Sequence, residues 1–262
     1  MHIPDGYLDI TIVTICAVIS GVFIVLGLIQ AKRYMEDRHV PLMAVLTAGV
    51  FAAQLLNFPI IGGTSGHLVG GTLISVFLGP LGAVISMTII LVLQALLFGD
   101  GGISALGANI LNMGVIGGVV GYYVYVIIRR LVGRGGWGVR LGAAIGSYVS
   151  IVLGALACGV EIGASSLFPY GVGVTVPAMV GWHLIIGIGE ALITSVVVEY
   201  ALRARPDMLA LPKVGFRGLL RRLGREEIER EEKEEMEAIT GGATAFKAVS
   251  YTHLTLPTTE RV

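Results

Sequence analysis

HLVGGTLISVFLGP, residues 67–80, decides how this chain folds. Its apolar part, His67–Leu78, is about 12 residues long, whereas a helix needs about 20 to cross a bilayer. It stops at Gly79-Pro80. The runs around it are longer. Leu8–Ile29, Leu42–Leu56 (slightly short), Leu81–Phe98, Ile103–Ile128, Leu141–Glu161 and Val176–Leu202 read as spanning helices. If the short segment also crosses, shielded by its neighbours, the basic loops all fall on one side. Those loops hold Lys32, Arg33 and Arg38, then Arg129, Arg130, Arg134 and Arg140, then Arg203 and Arg205. Basic loops face the cytoplasm. The opposite side collects residues 1–7, 57–66, 99–102 and roughly 163–175, which contain no Lys or Arg. Without that crossing the basic loops would fall on both sides. The expectation is an all-α integral membrane protein, a bundle of about seven transmembrane helices with a short third. Its N-terminus is outside and its C-terminus cytoplasmic.

Composition agrees. The chain has 262 residues, 55% of them hydrophobic and 14% charged, with a mean hydropathy of +0.84. A soluble domain carries about 25% charged residues. The formal net charge of +0 hides an asymmetry: residues 1–205 hold 9 of the 18 Lys and Arg and 8 of the 18 Asp and Glu. The reading is a membrane domain over 1–205 and a polar cytoplasmic tail over 206–262. GREEIEREEKEEMEAIT, residues 224–240, suits a solvated helix with charges paired at i, i+4. Residues 249–262 resemble a translated adapter-like sequence, so His253 is kept out of any site. The charge balance gives no sign of a nucleic-acid partner. No basic residue precedes the first apolar run, so the N-terminus is expected to be retained. Cys16 and Cys158 lie in apolar runs and read as buried, inert thiols. Stretches such as GVIGGVVG, residues 114–121, suit close helix packing.

Five histidines are the main candidates for chemistry. His39 sits in a charged loop and reads as solvated. His183 and Glu190, two turns apart on the last helix, share a face, either as an intramembrane coupling pair or as a packing pair. Glu161 lies near the outer end of its helix and can face water. His2 and His67 remain. Histidine at position two is too large for removal of the initiator methionine, so Met1 is expected to stay. The Met1 amine, the His2 amide nitrogen and the His2 imidazole can then close a five- and a six-membered ring on one ion. Planar nitrogen donors suit Ni(II) or Cu(II). One position stays open, and His67, on the same outer face, can fill it. Pro4 and Gly6 let the terminus bend back. Asp5 reads as a turn or supporting residue rather than a ligand. Asn57, Ser65 and Asp100 are candidates to orient the imidazoles.

MHIPDGYL (1–8), NFPIIGGTSGHLVGG (57–71), FGDGGISALGANILNMG (98–114) and GWHLIIGIGEALIT (181–194) together resemble the CbiM/NikM family. These are the substrate-binding membrane components of energy-coupling-factor cobalt and nickel transporters. The resemblance covers residues 1 to about 205. It implies a helical bundle with the N-terminal segment inserted, metal held by Met1, His2 and His67, and residence in the plasma membrane as a multi-pass protein. It also implies partners: a small membrane subunit, a transmembrane coupling protein and two ATPase subunits. The chain itself has no GxxxxGK[ST] motif, so it is not the ATPase. The implied function is import of Ni(II) or Co(II), with no cofactor and no enzymatic step. One alternative is a component for an organic micronutrient such as a vitamin. The outer loops offer only Tyr7, Phe58, Phe168 and Tyr170 for such a ligand. Another alternative, an intramembrane metal-dependent enzyme, lacks an HExxH motif.

Overall fold

A computed structural model describes residues 1–133, 135–209, 213 and 215. The charged tail beyond residue 215, His253 and the stretch 249–262 lie outside the described residues.

The long helices are α1 (Ile10–Tyr34), α4 (Pro80–Phe98), α5 (Leu106–Val132), α6 (Gly136–Ala164) and α7 (Val172–Ala204). Each is long and apolar enough to cross a membrane. Helix α2 (His39–Gln54) is apolar but only 16 residues long. Between α2 and the short α3 (Gly71–Leu78) lies a small antiparallel hairpin, β1 (Phe58–Pro59) with β2 (Ser65–Gly66). A single turn, α8 (Pro206–Leu209), follows α7. The sequence expectation put helices in these same seven apolar segments but read 57–66 as plain loop. The hairpin holds only two residues per strand, too few for an alternating pattern to show.

All eight residues of α3 are buried. Eight residues rise about 12 Å, well short of a bilayer, so this helix depends on its neighbours for cover. Glycines make that possible. A Cβ on Gly71 would meet the Gly117 and Gly118 backbone at 2.7–2.9 Å, so only glycine lets α3 lie against α5. Gly70 opens α3 in the left-handed region at φ +76°, and Gly79 closes it at φ +84°. Pro80 then starts α4, where its missing N–H costs nothing.

Helices α4 and α5 are not uniform. Gln94–Phe98 and Ile110–Val120 are π-helical. Such widened turns re-aim side chains and recur at functional sites. Both begin at or beside a polar residue that reaches the N-terminal segment: Gln94 and Asn109.

The four Lys- and Arg-free stretches meet at one end of the bundle. Met1 contacts Ser65, Asn57 bonds Asp100, Asp9 bonds Ser166, and the Tyr7 ring lies 4.8 Å from that of Phe168. At the other end, Arg140 pairs with Glu199 at 2.8 Å and ties the start of α6 to the end of α7.

Two expectations change. His39 is fully buried rather than solvated, its Nδ1 accepting from the Glu36 N–H at 2.9 Å. The charged loop turns back onto itself there. Glu161 faces the interior rather than water. It accepts from Asn112 Nδ2 at 2.6 Å and from the Cys16 thiol at 3.5 Å. Cys16 and Cys158 are buried free thiols.

Candidate metal centre

The site begins with the seating of the first residues. Met1, His2 and Ile3 are buried, while Pro4, Asp5 and Gly6 are exposed. Gly6 turns the chain at φ +82°. The Asn109 amide grips Ile3 on both sides, accepting from its N–H at 2.8 Å and donating to its carbonyl at 3.1 Å. Gly102 N–H donates to the same carbonyl at 2.8 Å. Asp5 accepts from the Ser104 N–H and hydroxyl at 2.7 and 2.5 Å. Asp9 then caps α1, accepting from Thr11 and Ile12 N–H at 3.1 Å. The Met1 side chain fills space left by Gly154 on α6, where a Cβ would stand 3.4 Å from Met1 Cε.

Several nitrogens then converge. The Met1 amine donates to Ser65 Oγ at 3.0 Å and to the Ser65 carbonyl, and it lies 2.6 Å from His67 Nε2. The His2 N–H donates to the same Ser65 Oγ at 3.0 Å. The His2 and His67 rings stack nearly parallel, centroids 4.3 Å apart. His67 Nδ1 lies 2.8 Å from the Leu68 carbonyl, an acceptor only, so Nδ1 carries the hydrogen and Nε2 offers its lone pair. His2 Nε2 lies 3.0 Å from Gln94 Oε1. His2 Nδ1 stands 3.0 Å from Asp100 Oδ1, but at an angle that makes no hydrogen bond. Donation from Nε2 to Gln94 therefore leaves Nδ1 with a free lone pair. Asn57 Nδ2 fixes Asp100 from its far side at 2.8 Å.

Burial sets the protonation of these groups. It pulls the Met1 amine from its ordinary 8.0 down to about 5, against the opposing pull of Cys158 and Asp100. It holds His67 well below the usual imidazole range, helped by the Met1 amine, His2 and His183. His2 is also lowered by burial, with Asp100 opposing. Burial works to raise the Asp100 carboxyl, but His2, the amine and Asn57 together hold it below the usual range. At neutral pH the site thus presents neutral nitrogens beside one carboxylate.

Met1, His2 and His67 are together, with Ser65, Asp100 and Asn57 around them. Asp5 stands apart and fixes the 99–104 loop instead. His183 and Glu190 are not bonded to each other. Glu190 accepts from the Val69 and Gly70 N–H groups at 2.7 and 3.0 Å, and His183 Nδ1 lies 2.7 Å from the Met179 carbonyl. Gln94 and Asn109 escaped the sequence reading. Their signal was available, since an amide inside an apolar helix needs a partner. Among the described residues no three His, Cys, Asp or Glu side chains cluster for a metal. The convergence comes from two imidazoles, an amine and a backbone nitrogen.

Fold and site define a multi-pass helical membrane protein with a buried, nitrogen-rich polar centre at one end. Residues 2–208 match the family CbiM, described as the cobalt uptake substrate-specific transmembrane region, and the chain belongs to that family. It is 44% identical over 209 residues to a chain of Archaeoglobus fulgidus named as a fused nickel transport protein, NikMN, covering 80% of this chain and 68% of that one. It is 34% identical over 217 residues to a chain of Methanocorpusculum labreanum named for cobalt transport, CbiM 2, covering 80% and 92%. A crystal structure of a truncated transition metal transporter superposes with a TM-score of 0.73 at 40% identity, covering 77% of this chain and 98% of that one.

Proposed function

We propose that this chain is the substrate-binding component of an energy-coupling-factor importer for Ni(II) or Co(II). The ion is taken from outside by four nitrogens: the Met1 amine, the His2 amide nitrogen, His2 Nδ1 and His67 Nε2. The observation that carries this reading is the 2.6 Å separation of the Met1 amine and His67 Nε2. Two nitrogens on one ion, each about 2 Å from it and at a right angle, stand about 3 Å apart. Both have lone pairs at neutral pH. Only Nδ1 of His2 closes a six-membered ring with its own amide, and Nδ1 is the ring atom without a hydrogen-bonded partner. Gln94 then takes the Nε2 hydrogen, the usual arrangement behind a metal-bound imidazole. Nitrogen donors discriminate against Mg(II) and Ca(II), which prefer oxygen.

In this reading, residues 1–7, 57–66, 99–102 and 163–175 face outside and the tail is cytoplasmic. Hydrolysis of nucleotide belongs to two partner ATPases. A transmembrane coupling protein and a small membrane subunit complete the assembly, which reorients this subunit to release the ion inward. The chain is a binding component rather than an enzyme. A thermal-shift screen of the purified chain against divalent metals and against vitamins tests the substrate class. Ni(II) and Co(II) should raise the melting temperature and the vitamins should not. Stabilisation by a vitamin alone would overturn the proposal.

A further inference from the structure

The face of α7 that carries His183 runs beside the chain that carries the ligands. Near its outer end, Met179 Sδ receives the Thr64 N–H at 3.4 Å. Further in, the Glu190 carboxylate receives Val69 and Gly70. Eleven helical residues rise about 16 Å, and five steps of extended chain from Thr64 to Val69 also cover about 16 Å. His183, four residues past Met179, therefore stands level with residues 65–66, between Ser65 and His67. Its ring is fully buried.

The hydrogen on that ring is also placed. Nδ1 faces the Met179 carbonyl at 2.7 Å, an acceptor only, so Nδ1 donates. Nε2 then bears a lone pair, and among the described residues it has no hydrogen-bond partner. A buried orphan of this kind calls for an explanation. His67 has the same arrangement, with Nδ1 to a carbonyl and Nε2 presented to the centre. Metal-bound imidazoles usually donate their other N–H to such an acceptor.

We infer that His183 Nε2 is a further nitrogen donor to the transported ion, taken up by Co(II) and left free by Ni(II), so that this residue sets how the centre treats the two metals. The inference rests on the four-nitrogen reading above. Ni(II), with eight d electrons, is satisfied by four strong planar nitrogens and gains little from another. Co(II), with seven, keeps an unpaired electron directed out of that plane and takes an additional donor there.

The test is X-ray absorption on the purified full chain loaded with Co(II) or with Ni(II), together with calorimetric titration of each metal. His183→Asn is the variant of choice, because its amide N–H can still reach the Met179 carbonyl while the Nε2 donor is gone. The native chain should show three imidazoles on cobalt and two on nickel. The variant should show two on both, with Co(II) affinity down about tenfold or more and Ni(II) affinity unchanged. Two imidazoles on cobalt in the native chain would overturn the inference without recourse to the variant, as would equal losses for both metals. A native chain on whose bound metal no imidazole appears, and whose affinity His67→Ala leaves unchanged, would remove the four-nitrogen reading itself and this inference with it.

Discussion

The Met1 amine has a double task, since it is buried among helices and yet faces a ring nitrogen and a hydroxyl. Burial makes it a neutral donor, and that fixes a pH dependence. Metal binds the unprotonated form, so protons compete only below each donor's folded-state value. The amine titrates at about 5, and His67 and His2 are also lowered. Once these donors are unprotonated the one proton displaced is that of the His2 amide, and affinity should rise about tenfold per pH unit. Below about 5 the slope should steepen. Imidazoles at their ordinary value would put this onset at about 6.5; calorimetry across pH 4–8 separates the two. Gln94 gives a second prediction. Gln94→Leu removes the acceptor behind His2 Nε2 and should weaken Ni(II) binding by roughly 10–100-fold, with the melting temperature of the metal-free chain read as a control. An unchanged affinity would show that Gln94 does not orient the ring. The sequence pointed to His2 as a candidate donor through its place behind a methionine expected to stay, and to His67 through the face on which the charge pattern put it. Gln94, an amide inside an apolar run, could be marked only as needing a partner, because which partner it meets depends on the widened turn in α4.

At the scale of elements, the short helix α3 is held by what surrounds it. Glu190 on α7 receives two backbone N–H groups from the chain that delivers His67 into α3. Glu190→Gln keeps the shape but turns a donor toward one of those two N–H groups. A buried donor left without its acceptor costs about 1–3 kcal/mol. The variant should therefore melt earlier by an amount worth about 2 kcal/mol, and it should also bind Ni(II) more weakly because His67 shifts. Loss of stability with full affinity would mean that Glu190 supports the fold only. The sequence put His183 and Glu190 on one face as a pair, and in the structure each bonds elsewhere. Helical spacing says which residues share a face and nothing about what lies opposite. The partner here is the irregular stretch 64–70, whose path has no periodicity to read. The sequence likewise marked 67–78 as too short to stand alone, and the structure answers with complete burial of α3.

At the scale of the whole molecule, counting the short segment as a crossing put four Lys- and Arg-free stretches on one face, and those stretches do meet at one end of the bundle. In the proposed assembly the partner ATPases drive accumulation against a gradient. Cells expressing this chain with the coupling protein and ATPases of an energy-coupling-factor system should take up radioactive nickel or cobalt, and ATPase-dead partners should abolish it. Uptake by the chain alone at the same rate would remove the coupled mechanism. The central claim is narrower, namely that the chain terminus is itself the ligand. It is tested most directly by titrating Ni(II) calorimetrically into the native chain and into one acetylated on the Met1 amine. Acetylation turns the amine into an amide and places an acyl group where the buried amine meets Ser65 and His67. The account predicts a loss larger than the roughly 100-fold that changes behind a ligand cost, along with loss of the absorption band of planar nickel. Equal affinity and an unaltered band in the acetylated chain would contradict it.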